Sequence, residues 1–169
     1  MKTFAVLTLF AVSAFAQAPS VIKGSQATFT MAKTNIIKSA EKMPEENFAF
    51  KPTPDVRSFG DVLGHIADAQ YAFCSAASGA EGPKNSVEKT WKSKAGLIED
   101  LKNAFAFCDK AYAGVTDETI GKSIKLFGRE STVINALDFN TAHDFEHYGN
   151  LVTYMRLKNI VPPSSEPRK

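Results

Sequence analysis

Thr141-Ala-His-Asp-Phe-Glu-His-Tyr-Gly149 holds two of the three histidines of this 169-residue chain, four residues apart. On a helix that spacing stacks His143 and His147 on one face. Working outward from them, Val133, Ala136, Leu137, Leu151, Tyr154 and Met155 fall on one apolar stripe, and Asn140, His143, Asp144 and His147 interrupt its middle. Polar groups set into a buried stripe cost free energy unless they are paired or bind something. The helix, starting near Ser131 and stopped after about Lys158 by Asn159-Ile-Val-Pro-Pro-Ser164, is therefore expected to bury a site as well as a core.

The third histidine, His65, closes Gly60-Asp-Val-Leu-Gly-His65 in a second helical pattern. Ser58 is a fitting N-cap there, with Asp61 as the capping-box acid, and the helix runs to about Ala77. His65 shares a face with Val62, Ala69, Ala72 and Ala76, small residues that leave room beside the imidazole. Upstream, Ala27, Met31, Ile36, Ile37 and Ala40 mark a first amphipathic helix from about Gly24 to Met43. Another from about Ser93 to Ala113 places Leu97, Leu101, Ala104, Phe105, Cys108 and Tyr112 on one stripe, with Gly114 as its stop.

Two long connectors separate these helices. Met43 to Asp55 carries three prolines and reads as extended, with Phe48 and Phe50 pinning it to the surface of the bundle. The turn-rich linker from Ser78 to about Trp91 is long enough to cross the bundle, so helices two and three need not be antiparallel. Val115 to Glu130 is a further connection in which Ser123-Ile-Lys-Leu-Phe127 alternates as a short strand would. Four helices without a convincing sheet make an all-α four-helix bundle the natural architecture.

Composition fits one globular domain: 44% hydrophobic, 22% charged, net charge +2. Basic and acidic residues are interspersed, which speaks against a nucleic-acid partner. Met1-Lys2-Thr3, the apolar run Phe4 to Phe15 and Ala14-Phe15-Ala16 have the three-part order of a signal peptide cleaved after Ala16. The run is too short to span a bilayer, so stable membrane insertion after cleavage is not expected. The reading is a leader at 1–16, a bundle domain at 17–169, and a periplasmic or secreted location. In an oxidising compartment two cysteines in a small domain more often pair than stay free, which makes Cys74 and Cys108 a candidate disulfide.

Three imidazoles on two core-facing stripes, in a chain without other histidines, suit a transition metal. Zinc and nickel come first, with iron, copper and manganese behind them. Three neutral ligands leave the metal's charge unquenched, and a coordinated water or thiol is acidified. Asp61 and Asp144 are candidates to orient the imidazole N–H groups, although capping and solvation explain Asp61 equally well. Tyr154, two turns beyond His147, reads first as a core-packing residue and second as one pointing toward the site, and Glu146 reads as a solvated surface residue.

Phe50-Lys-Pro-Thr-Pro-Asp-Val-Arg-Ser-Phe-Gly-Asp-Val-Leu-Gly-His-Ile-Ala-Asp68 and His143-Asp-Phe-Glu-His-Tyr-Gly-Asn-Leu-Val-Thr-Tyr-Met-Arg-Leu-Lys-Asn-Ile-Val-Pro-Pro-Ser164 resemble the DinB family, a group taken to be metalloenzymes. The resemblance extends over essentially the whole mature chain. It implies a bundle with an up-down-down-up path and a three-histidine metal site at His65, His143 and His147. It also implies that helices two and three run parallel, bringing Cys74 and Cys108 to similar heights and favouring their disulfide. Related members include thiol-dependent transferases and a thiol-dependent isomerase, and many others have no assigned activity. Export, where low-mass thiols are scarce, sets this chain apart from the thiol-dependent members. The expectation is a metal-dependent enzyme of hydrolase or thiol-transferase type acting on an unknown small molecule, with no catalytic residue beyond the ligands identified. The alternative is a non-catalytic metal- or small-molecule-binding bundle, and homodimerisation is left open.

Overall fold

The computed structural model describes residues 19–167, so the leader expected at 1–16 lies outside the described residues. The first helix, α1 (Val21–Lys42), begins where the Ser20 hydroxyl accepts the Lys23 N–H, three residues before the sequence pattern starts. Its buried face is Ile22, Phe29, Ala32, Ile36 and Ala40. That face is turned from the expected one: Ile36 and Ala40 belong to it, but Met31 is 59% exposed. Phe29 sets the rotation, its ring stacked 4.5 Å from that of Tyr112 and 5.8 Å from that of Phe105, more apolar area than a methionine on the other side can offer.

Helix α2 (Phe59–Ser78) starts at the expected capping box, Ser58 accepting from Asp61 N and Asp61 accepting from Ser58 N. Phe48 and Phe50 hold the connector before it as expected: Phe48 is buried against Phe59, and their carbonyls accept the Gly60 and Phe59 N–H groups. Helices α3 (Val87–Thr90), α4 (Lys94–Ala113) and α5 (Val133–Leu157) follow. The expected stripes of α4 and α5 are buried, from Leu97 to Tyr112 and from Val133 to Met155. Beyond α5, Asn159 takes the left-handed conformation and the Ile160 N–H reaches the Met155 carbonyl, closing the helix.

Interhelical contacts give the path. Lys94 Nζ at the start of α4 donates to the Met43 carbonyl, and Lys94 N–H to Glu45, so α4 starts where α1 ends. Tyr154 near the end of α5 donates to the Arg57 carbonyl just before α2, while Ser25 near the start of α1 bonds Asp138 near the start of α5. Hence α1 and α5 run one way and α2 and α4 the other, the up-down-down-up bundle. A disulfide joins Cys74 of α2 to Cys108 of α4 with their Cα atoms 5.3 Å apart, as two parallel helices of equal length permit. Among the described residues, no helix is long and apolar enough to cross a membrane.

Two elements depart from the sequence reading. The linker after α2 contains α3, a single turn too short for periodicity to reveal. Asp68 of α2 holds it, accepting from the Val87 N–H (2.6 Å), the Glu88 N–H (3.2 Å) and the Ser86 hydroxyl. Gly64 lets it approach: a Cβ there would lie 2.6 Å from Glu88 Cα. Second, the strand expected at 123–127 is β1 (Ser123–Leu126), and it pairs antiparallel with β2 (Arg129–Thr132). The sequence reading assigned β2 to a connector and to the start of the last helix, because its side chains Arg129-Glu-Ser-Thr132 show no apolar alternation. Backbone pairing with β1 makes it a strand, and the helix begins after Thr132, whose hydroxyl caps it. Phe127 and Gly128, both at positive φ (50° and 78°), form the two-residue turn between the strands.

Two stability effects follow. Reducing the Cys74–Cys108 bond, or replacing both cysteines by serine, is expected to cost about 2–4 kcal/mol, readable in calorimetry as a fall in Tm of roughly 5–15 °C. An unchanged Tm would mean that the bond does not form in the folded protein. Gly64→Ala pushes backbone against backbone and should cost about 1–3 kcal/mol, whereas Gly24→Ala, with open space around the added methyl, should not destabilise.

Candidate metal centre

The three histidines come together. Their ligating atoms lie within 4.8 Å of one another, with His143 Nε2 3.2 Å from His65 Nε2 and 3.1 Å from His147 Nε2. The spacing along α5 brings His143 and His147 one turn apart, and the packing of α2 against α5 delivers His65 between them. The rings meet at 80° for His143 with His147, 90° for His65 with His147 and 53° for His65 with His143, none of them stacked face to face.

That convergence tests the fit of a metal. Around a tetrahedral ion with metal–nitrogen bonds of about 2.0–2.1 Å, ligand nitrogens stand about 3.3 Å apart, close to the two separations made by His143, with the whole trio inside 4.8 Å. Without a cation the arrangement is poorly satisfied, since one proton on His143 Nε2 cannot serve both neighbours. Two of the outer nitrogens are held. His65 Nδ1 is 3.2 Å from Glu88 Oε2, and a carboxylate can only accept, so the proton sits on Nδ1 and the Nε2 lone pair points inward. His147 Nδ1 is 3.2 Å from Nδ2 of Asn150, which donates to it; exchanging that amide's nitrogen and oxygen, which have the same shape, turns the contact into an Nδ1–H donation and leaves the Nε2 lone pair free. His143 Nδ1 is buried with no partner.

Glu88 is in turn paired with Arg57, Oε1 to Nε at 2.9 Å. Neither Glu88 nor Asn150 was foreseen from the sequence, and the acids that were foreseen do other work. Asp61 caps α2 and accepts from Trp91 Nε1. Asp144 is fully buried and turns to Gln70, whose amide donates to it at 2.6 Å while accepting from Asn140. Tyr154 lines the cavity beside His147, and its hydroxyl is spent on the Arg57 carbonyl. Glu146 is exposed at the rim of that cavity, as expected. The glycines at 60 and 64 were the signal for Glu88: on one face of α2 they leave room for Trp91 and for the α3 backbone.

The electrostatics favour neutral imidazoles. Burial first, then the neighbouring His143, His65 and Arg57, bring the His147 pKa down to about 4. Burial, then His65, also lowers that of His143. Burial raises the Asp144 carboxyl well above the usual carboxylate range, with the Gln70 hydrogen bond opposing it. Two cavities adjoin the cluster. One, of about 680 Å³, is polar and lies beside His147, with Arg57, Glu88, Asn150 and Tyr154 in its wall. The other, of about 370 Å³, opens beside His65 and His143.

Comparison with known proteins agrees with this arrangement. Among curated proteins no sequence match was found. A DinB-like protein of Bacillus cereus superposes with a TM-score of 0.73 at 16% identity, covering 85% of this chain and 96% of its own. YfiT of Bacillus subtilis, described as a probable metal-dependent hydrolase with an unusual four-helix bundle topology, superposes with a TM-score of 0.65 at 13% identity, covering 90% and 94%. A mycothiol-dependent maleylpyruvate isomerase gives a TM-score of 0.64 at 12% identity, covering 77% of this chain and 60% of its own. At these identities the solved structures speak for the fold. The model of the DinB superfamily matches residues 28–151, a span that includes all three histidines, and the chain belongs to that superfamily.

Proposed function

We propose that this protein is an exported metal-dependent enzyme, of the hydrolase or thiol-dependent transferase type, that holds a divalent transition metal on Nε2 of His65, His143 and His147. The observation that carries this reading is the inward convergence of three nitrogens, two of them with the opposite ring nitrogen anchored from outside. The all-imidazole set points to zinc or nickel before iron, copper or manganese. A metal bound there supplies Lewis acidity and lowers the pKa of a coordinating water or thiol.

The chain's own residues supply the rest. Glu88, which can only accept, sets the tautomer and angle of His65, and the Asn150 amide holds the ring of His147. Arg57 holds Glu88 and brings positive charge to the wall of the polar cavity, where a substrate carboxylate or phosphate would gain from it. Export is supported by the leader-like pattern before residue 17 and by the cross-link between Cys74 and Cys108. It favours water over a small thiol as the attacking species, and so hydrolysis, the activity ascribed to YfiT. The two cavities beside the cluster favour a catalytic over a storage role.

His143→Ala is expected to remove stoichiometric metal from protein purified without chelator, read by elemental analysis. Glu88→Ala should keep the fold and weaken zinc binding about 10- to 100-fold. If His143→Ala retains the metal content of the parent, the ligand assignment is wrong.

Acidity gives a further check on the metal-free protein. An unfolded histidine titrates near 6.5 and folded His147 near 4, so between these values the unfolded chain takes up the proton first. The stability that neutral His147 contributes is whole above about pH 6.5 and lost as pH falls toward 4, by about 2 kcal/mol. Thermal melts across that range should show a steeper decline for the parent than for His147→Gln, and parallel curves would refute the assignment.

A further inference from the structure

The second cavity is chemically one-sided. Its floor is Phe73, only 3% exposed, and its rims are Phe127 and Phe139, 67% and 50% exposed. The rims' rings stand 5.2 Å from that of Phe73, which itself lies 5.8 Å from the ring of His143. Ala69 and Ala72 complete the wall with methyl groups. Apart from the imidazole edges of His65 and His143, the polar lining residue is Asp68, and both of its carboxylate oxygens are already bonded at the start of α3. A polar molecule entering here would leave its hydration behind and find few partners.

Phe127 is placed there against local preference. It occupies the first position of a turn that demands positive φ, where asparagine, aspartate or glycine is the usual choice. A phenylalanine in left-handed backbone is strained, and strain of this kind persists where surrounding structure or function requires it. The fold does not require this ring, because Leu126 beside it, 6% exposed, is what anchors the hairpin in the core. What the hairpin accomplishes is to carry an exposed aromatic ring from a distant part of the chain to the mouth of a cavity that ends at two of the three histidines.

We infer that this cavity receives the apolar portion, of aromatic-ring size, of an amphipathic substrate whose reacting polar group meets the histidine cluster at His65 and His143 in the cavity wall. A volume of about 370 Å³ lies at the lower end of the range for small-molecule sites and holds one ring with its substituents. The substrate class is then an aryl- or alkyl-bearing ester, amide or related electrophile rather than a sugar, a nucleotide or a fully hydrophilic peptide. This inference rests on the metal-site reading given above, and the test separates the two.

Zinc-loaded protein is titrated by calorimetry with benzohydroxamate and with acetohydroxamate, two chelators that differ by the ring. Benzohydroxamate should bind about tenfold tighter or better, as expected for burying a phenyl group. Phe127→Asn, which suits the left-handed turn and so should hold or raise Tm, and Phe139→Ser should bring the ratio close to one while acetohydroxamate affinity stays as it was. Equal affinities in the parent, or a preference that survives both substitutions, would overturn the subsite. In parallel, 4-fluorobenzyl alcohol is followed by fluorine NMR on the metal-free protein. If it binds in a Phe127-dependent way while neither hydroxamate binds, the subsite stands and the metal reading fails. If neither probe class responds and Phe127→Asn converts a dimer to a monomer in sedimentation, the aromatic rim is an interface between copies of the chain and the inference falls.

Discussion

An imidazole nitrogen of His143 that meets those of His65 and His147 at 3.2 and 3.1 Å cannot satisfy both with one proton, and much of this molecule is arranged to keep the three together. Two of them belong to one helix and need only its pitch. The third has to be delivered by another helix in the right register, and the bundle meets that demand with local devices spread along α2. The capping box at Ser58 and Asp61 fixes where α2 starts, Gly64 lets a single turn of helix lie against its backbone, and Asp68 fastens the start of that turn. The turn then presents Glu88 to the outer nitrogen of His65. Asp61, Gly64, His65 and Asp68 recur at helical spacing, so one face of α2 both holds the candidate ligand and builds its support.

Beneath the histidines the core is polar. Gln70 bridges Asn140 and Asp144 within fully buried surroundings, and burial keeps the Asp144 carboxyl toward its neutral form. The network is only partly satisfied, since Asn140 Oδ1 and Asp144 Oδ2 are buried without a partner, but its directional bonds tie α2 to α5 in one register. Beside it the disulfide ties α2 to α4, while Tyr112, donating to the Leu137 carbonyl, ties α4 to α5. The bundle is thus stiffest around the layer that positions the imidazoles. The strained element, Phe127, lies at the exposed hairpin tip instead, on the side where the cluster opens to an apolar cavity.

Much of this was legible in the chain, and the exceptions have physical causes. The apolar stripes of α4 and α5, the cap of α2 and the histidine trio follow from periodicity and from what a buried polar residue requires. The phase of α1 was misplaced because aliphatic residues lie on more than one side of it, and packing of Phe29 between Phe105 and Tyr112 chooses among them. The one-turn helix α3 has no period to read, and its stability comes from Asp68, 18 to 20 residues away. Strand β2 has no apolar alternation, being made by backbone pairing with β1. Asp61 and Asp144 look suited to orient an imidazole by proximity in sequence, yet each is claimed by a nearer demand.

By itself the sequence determined the helical class, the spacing of His143 with His147, and which three histidines were candidates to meet, because these depend on helical pitch and on residue chemistry along each element. Only the tertiary structure decided which groups stand behind His65 and His147, that a polar cavity adjoins His147 while an apolar one adjoins His65 and His143, and that Phe127 reaches the latter. Those outcomes depend on close approaches between elements far apart in the chain. Local pattern carries no record of which of several polar or aromatic side chains will complete them.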